Sequence, residues 1–253
     1  MSVENYSYLR ELAKSGLRSD QRKPFERRNI VLKTKVSNHA DGSAYVELGE
    51  TKVIAGVKVL PGEPYPDRPD EGSLNVNFEA SELAANYPAD RLIYSVEVGR
   101  VTDRAIRESK MIDMKQLCVT PGSKVLFVFI DIYAINNDGN LLDASNVAAL
   151  AALLDAEYSV EGKEGKMKLP INIDNTPISS TFVKIGDAVF LDGNSLEETV
   201  ADARLSIGIG KGINSMQKGG VGYFKQEEIE TCVDEAFKYK DEIKSMLVEK
   251  LKS

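Results

Sequence analysis

The residues from Lys124 to Tyr158 constrain this chain more than any other stretch. Val125, Leu126, Phe127, Val128, Phe129, Ile130, Ile132 and Tyr133 are β-branched, aromatic or otherwise apolar, and only Asp131 interrupts them. Such a run predicts a central strand buried on both faces. Asn136 to Asn140, with Gly139 among them, supplies residues that tolerate positive φ, so the chain turns there. Asp143 or Ser145 is then placed to cap a helix whose Ala- and Leu-rich body, Val147 to Leu154, suits close packing. Strand, polar turn and buried helix make a core hairpin. The same geometry offers backbone N–H groups and a helix N-terminus to an anion.

Ahead of the hairpin, Glu4 to Gly16 predicts an amphipathic helix with Tyr8, Leu9 and Leu12 on one side and Gly16 as its stop. Leu17 to Pro24 reads as a solvated polar connection, and Arg27-Arg28 just beyond it offers cations to a phosphate. Between Asn29 and Leu60 apolar residues alternate around turns at Asp41-Gly42 and Gly49-Glu50, the pattern of three antiparallel strands. Pro61, Pro64, Pro66 and Pro69 keep the next segment out of regular structure, and Ser73 to Ala80 resumes as a strand. Pro88 to Met111 predicts a helix with Leu92, Tyr94, Val98, Gly99, Val101, Ala105 and Ile106 on one arc. After the hairpin, Ser159 to Lys168 lacks periodicity and reads as a linker. Ser179–Gly186, Ala188–Leu191, Ala203–Gly208 and Ile213–Gln217 are a second set of short strands. Gln226 to Leu251 closes the chain as a helix with a stripe through Ile229, Cys232, Val233, Ala236, Phe237, Ile243, Met246 and Leu247. This order predicts an α+β fold of two sheet-and-helix halves: an N-terminal helix over 1–20, a first half over 21–158, a linker over 159–168 and a second half over 169–253.

Composition narrows the chemistry. A net charge of −7 argues against a general nucleic-acid binder, so any RNA contact must come from a local basic patch. Arg100, Arg104 and Arg107 form one such patch, at i, i+4 and i+7 on the polar side of the second helix. They are either a solvated face, tied by Asp103–Arg107 and Arg104–Glu108 pairs, or a guanidinium row that follows a phosphate backbone. His39, the single histidine, sits in a turn, which makes triads and zinc sites improbable. Cys118 and Cys232 lack ligand spacing and read as free thiols. No metal or cofactor is expected. The apolar runs are shorter than the roughly 20 residues of a membrane span, and the start of the chain lacks a secretion signal, so the expected location is cytoplasmic.

Gly208, Gly210 and Gly212 miss both nucleotide-loop patterns and suit a hairpin turn. Asp192, Glu197, Glu198 and Asp202 could mimic a metal or acid–base cluster, but an exposed acidic connection is the plainer reading.

Several separated blocks then carry a family resemblance. Asp41-Gly42-Ser43-Ala44, Gly49 to Lys58, Pro64 to Gly72, Phe129 to Tyr133 with Asp138 to Leu141, and Met216 to Gly220 occur in the order found in the RNase PH family of phosphate-dependent exoribonucleases. Together they resemble the family's non-catalytic subunits in the archaeal exosome ring, over nearly the whole chain. The resemblance implies the RNase PH fold (ribosomal-protein-S5-domain-2-like), with two copies of a β-rich half. It implies a hexameric ring of three heterodimers with a catalytic RNase-PH-like subunit, S1/KH or zinc-ribbon caps, and a pore for single-stranded RNA, with no membrane role.

Departures from the active pattern specify the role further. Active members carry Gly-Gly-Thr-Arg or a close variant in the turn after the central strand, whereas this chain has Asp138-Gly139-Asn140-Leu141-Leu142-Asp143. The cation is missing, and Asp143 repels phosphate. Active members also carry two acids six positions apart. Asp202 matches the second, but Leu196 stands at the first, with Glu197 and Glu198 out of register. The expectation is a non-catalytic exosome subunit with no catalytic residues of its own, in which Arg100, Arg104 and Arg107 bind RNA. The alternative is an active phosphorolytic 3′–5′ exoribonuclease using Asp202 with Glu197 or Glu198.

Overall fold

The meander between Asn29 and Leu60 is present in the computed structural model, which describes residues 3–81, 84, 91–159 and 165–250. Helix α1 (Val3–Lys14) precedes strands β1 (Ile30–Thr34), β2 (Gly42–Leu48) and β3 (Thr51–Gly62), paired antiparallel in sequence order. Val46 lies opposite both Leu32 and Val53, and all three are buried, so alternation fixes the register through one apolar face. Strand β4 (Ser73–Ala80) follows the proline-rich segment, then helix α2 (Arg91–Ser109), the short β5 (Cys118–Thr120), β6 (Lys124–Asn136) and helix α3 (Leu141–Asp155). The first sheet has the order β1-β2-β3-β6-β4, with β6 antiparallel to β3 and parallel to β4.

A small ribbon of β7 (Glu157–Tyr158) and β8 (Met167–Lys168) leads to the second half. There β9 (Ile178–Ile185), β10 (Ala188–Leu191), β11 (Ala203–Ile209) and β12 (Ile213–Gly220) make an antiparallel sheet of order β10-β9-β11-β12. Helix α4 (Ser195–Val200) lies between β10 and β11, and α5 (Gln226–Lys250) closes the chain.

Helix α3 is buried from Leu141 to Leu153 on every side, because it packs on β2 and β3 and also on β9 of the second sheet. Its alanines make that approach possible. The backbone of β2 comes so near that a Cβ at Gly42 would collide with Ala152 and Ala156. Both halves therefore rest on one helix.

Six expectations need correction. Strand β3 runs on through Pro61 and Gly62, opposite Leu126 and Val125, so the irregular segment begins after Gly62. Strand β6 is buried on one face only: Leu126, Val128, Ile130, Ile132 and Ala134 point into the core, while Tyr133 and Ile135 are about 40% exposed. Helix α3 covers a single face of the sheet, so the run of apolar residues overstates the burial. On α1, Leu9 and Ala13 are the buried contacts and Tyr8 is exposed. On α5, Phe237 is exposed beside the buried Cys232, Ala236, Ile243 and Leu247. The cap of α3 is Asn140 in the left-handed region, φ 56°, rather than Asp143 or Ser145, which lie inside the helix. Helix α4 was not anticipated, although Asn194 and Glu197 spell its capping box. The expected helix start at 88–90 lies outside the described residues, as do 160–164 of the expected linker.

Candidate functional site

The turn between β6 and α3 has the shape expected of an anion cradle, but carboxylates of the same chain occupy its donors. The Asn140 N–H donates to Glu198 Oε1 at 2.8 Å. The Asn140 side-chain amide donates to Asp143 Oδ2 at 2.9 Å and to Asp192 Oδ1 at 2.6 Å. Asp143 is fully buried and also accepts from the Thr181 N–H and hydroxyl, at 3.0 and 2.7 Å. Burial raises the Asp143 carboxyl above its ordinary range, against the opposing charge of Arg27, whose Nη1 lies 3.5 Å away. Burial likewise raises Glu198. Gly139, at φ 83°, completes the turn, and a Cβ there would strike the backbone of Gly193 and Asn194.

The connection from Leu17 to Arg28 is largely exposed, as expected, but its arginines turn inward from it. The Arg18 side chain is 0% exposed and forms a two-pronged pair with Glu197, itself 3% exposed, at 2.8 and 2.6 Å. Its remaining N–H groups donate to the Leu191 and Asp192 carbonyls at 2.9 Å each. Arg28 and Arg22 converge on the buried Asp192 at 2.7 and 3.0 Å, and Arg28 also donates to the Asp138 carbonyl at 2.7 Å. Burial would raise Asp192, but hydrogen bonds and charge from Arg28, helped by Arg27 and Asn140, hold it down at about 2. Arg27 donates to the Ser180 hydroxyl at 2.8 Å. The arginines that looked available to phosphate are thus matched by the acids that looked exposed. Each half hides the other's charge.

Asp202 stands apart from this network. Arg10 of α1 grips it with two bonds of 2.9 and 3.1 Å, and the Gly186 N–H donates to it at 2.7 Å. The Arg10 hydrogen bond is the main reason its carboxyl sits below the ordinary range. Leu196, six residues earlier, is exposed on α4, and Glu197 points to Arg18. The structure therefore does not bring Asp202 and Glu197 together as an acid pair. Among the described residues no group of three or more His, Cys, Asp or Glu side chains is arranged to hold a metal. Cys118 and Cys232 are free.

Arg100, Arg104 and Arg107 lie on the exposed side of α2, as the spacing required. Arg107 bonds Asp103 at 2.7 Å, the expected i, i+4 pair. Arg104 reaches across to Gln217 of β12 at 3.2 Å rather than to Glu108. Arg100 has no hydrogen-bond or ion-pair partner among the described residues; it lines a groove beside β4 with Val96 and Tyr133. Under the row, Gly99 lets α2 approach β4 closely, its missing Cβ falling 3.3 Å from the Val76 carbonyl. Among the described residues no helix is long and apolar enough to cross a membrane.

Comparison with known proteins agrees with this architecture in both halves. Residues 26–159 match domain 1 of the 3′ exoribonuclease family (RNase PH), and residues 175–239 match its domain 2. The exosome complex component Rrp42 of Thermococcus gammatolerans is 41% identical, over 94% of this chain and 92% of that protein. Its counterpart in Thermoplasma acidophilum is 42% identical, over 90% and 88%. A chain of the Archaeoglobus fulgidus exosome with RNA bound to the active site superposes with a TM-score of 0.89 at 35% identity, covering 96% of this chain and 97% of that one. A chain of an archaeal exosome core gives 0.87 at 34% identity, covering 96% of each. With matching family domains in both halves and relatives of this similarity along almost its full length, the chain belongs to the RNase PH family of 3′ exoribonucleases.

Proposed function

We propose that this chain is a non-catalytic subunit of an exosome, a phosphorolytic 3′–5′ exoribonuclease complex, in which it shapes the active site of a catalytic RNase-PH-like partner and holds substrate RNA. The observation that carries this reading is the occupied turn at Asn140. A phosphorolytic site must hold a nucleophilic phosphate and stabilise the charge of the transition state. Here the helix N-terminus already serves Glu198, and Asp143 sits in the first turn, where it opposes a second anion. The similarity to exosome subunits supports the assembly: a hexameric ring of three heterodimers around single-stranded RNA, with S1/KH or zinc-ribbon caps, in the cytoplasm.

RNA contact falls to the α2 arginines. Arg100 and Arg104 carry the phosphate contacts, because one is unpaired and the other holds only a neutral glutamine. Arg107 contributes less while it pairs with Asp103. The test has two parts. The purified chain alone is expected to show no phosphate-dependent RNA degradation, and mixing with the catalytic partner to restore it. Arg100→Glu with Arg104→Glu is expected to weaken RNA binding by the assembled ring without dissolving it. Substantial turnover from the isolated chain would overturn the first part, and unchanged affinity and salt dependence the second.

A further inference from the structure

A second basic surface opens where the arginine row ends. A cleft of about 840 Å³ lies between the proline-rich segment, the end of α2 and the residues entering the second half. Four cations line it, Arg68, Arg107, Lys110 and Lys115, against two acids, Glu71 and Asp113; Arg107 keeps its pair with Asp103, and Arg68 lies 3.7 Å from the exposed Asp67. Asp113 is committed to capping the turn that follows it, accepting from the Lys115 N–H and the Gln116 amide. Lys110 and Lys115 have no ion-pair partner among the described residues, in a chain of net charge −7. The walls are fixed by backbone bonds: Gly72 donates to the Met114 carbonyl at 2.8 Å and Asn172 to the Met111 carbonyl at 2.7 Å. Arg68 is therefore held on a tethered, proline-stiffened rim.

Lys110 supplies the second observation. It follows α2 with φ 53°, in the left-handed region where glycine or asparagine ordinarily ends a helix. A lysine there carries backbone strain that a glycine would relieve. Its carbonyl is satisfied by Asn175 and its N–H by Arg107, so the backbone needs no lysine side chain. Lys110 is exposed and lines the cleft one residue past the end of α2, about 15 Å from Arg100 along the helix direction at 1.5 Å per residue.

We infer that the cleft lined by Arg68, Arg107, Lys110 and Lys115 continues the RNA track beyond the α2 arginines and holds the phosphate backbone of a longer single strand. The inference rests on the RNA-contact reading of α2 and extends it from Arg107, the end of that row, to Arg68, Lys110 and Lys115. Strand length separates the two: a short oligonucleotide is satisfied by Arg100 and Arg104, and a longer one also reaches the cleft.

The test uses the full chain, alone and mixed with its catalytic partner, and labelled single-stranded RNAs of about 6 and about 20 nucleotides. Arg68→Ser, Lys110→Gly and Lys115→Ser together are expected to weaken binding of the longer RNA about tenfold. The salt slope should fall by about 2, from roughly 0.7 per lost contact on a single strand. The shorter RNA should bind as before. Lys110→Gly alone is expected to melt at or above the wild-type temperature while still losing affinity for the longer strand, a combination that a merely structural lysine would not give. Unchanged affinity and salt slope for the longer RNA overturn the inference, and so does loss of assembly with RNA binding intact, which would make the cleft a seat for an acidic protein. If the cleft variants bind normally but Arg100→Glu with Arg104→Glu does not, the extension alone fails. If neither set changes binding, the RNA reading of α2 fails with it.

Discussion

Asp202→Asn separates a structural carboxylate from a catalytic one, because its contacts set what should be lost. The wild-type carboxylate accepts two bonds from Arg10 and one from the Gly186 N–H. Asparagine keeps one acceptor oxygen and loses the charge, so at least one Arg10 bond goes. Charge-assisted bonds of this kind contribute about 1.5–3 kcal/mol when buried. Arg10 and Asp202 are 29% and 37% exposed, however, and solvent screening reduces the expected loss to about 1 kcal/mol. In a domain of this size that lowers Tm by roughly 2–4 °C. The loss should be local to the docking of α1, seen as faster proteolysis within Val3–Lys14. Because pairing lowers the Asp202 carboxyl, its contribution is present above the unfolded carboxylate range and disappears as pH falls through the folded value. Wild type and variant should therefore converge in acid. Phosphorolysis by the assembled ring should stay near wild type. Abolished turnover with assembly and melting preserved would refute the reasoning and make Asp202 a catalytic acid.

Arg18→Met strands Glu197 in the interior, and from the burial of the pair a loss of about 3–5 kcal/mol is expected in urea unfolding, with Glu197→Leu added to the variant recovering much of it; a loss under about 1 kcal/mol would show that water already reaches the pair. Stability against pH should peak in mild acid. Asp143 and Glu198 have raised carboxyls, so they favour the folded state increasingly as pH falls through their folded values, whereas Asp192, held at about 2, gives up its contribution between its unfolded value near 3.9 and that pH. Urea midpoints that rise steadily with pH up to neutrality would contradict this.

Much of the fold was legible because it rests on local patterns. The meander around Asp41-Gly42 and Gly49-Glu50, strand β4 at Ser73–Ala80, and the hydrophobic arc of α2 follow from alternation, turn residues and helical spacing. The ion pairs were not legible. Arg18 and Glu197 are 179 positions apart, and nothing local to either distinguishes a buried guanidinium from a solvated one. The acids from Asp192 to Glu198 had the composition of a surface loop, and only the packing of the two halves turned them inward. Local signals were available for two details: Asn140 after Gly139 marked the left-handed cap, and Asn194 with Glu197 marked α4. The one-sided exposure of β6 depended on which helices cover the sheet. Strand composition alone does not carry that information.

The occupied turn at Asn140 also bears on how this sequence tolerates change. Building a phosphate cradle here would require removing Glu198 from the Asn140 N–H, replacing Asp143 and freeing a cation. Asp143 is tied to Thr181, and Asp192 to Arg28 and Arg22, so replacing one member leaves a buried partner charge or donor unmatched. Each first step lowers stability before any of them gains chemistry. Single substitutions toward a phosphate cradle therefore lead downhill from this sequence, and the turn's mutual pairing works as a latch against piecemeal change.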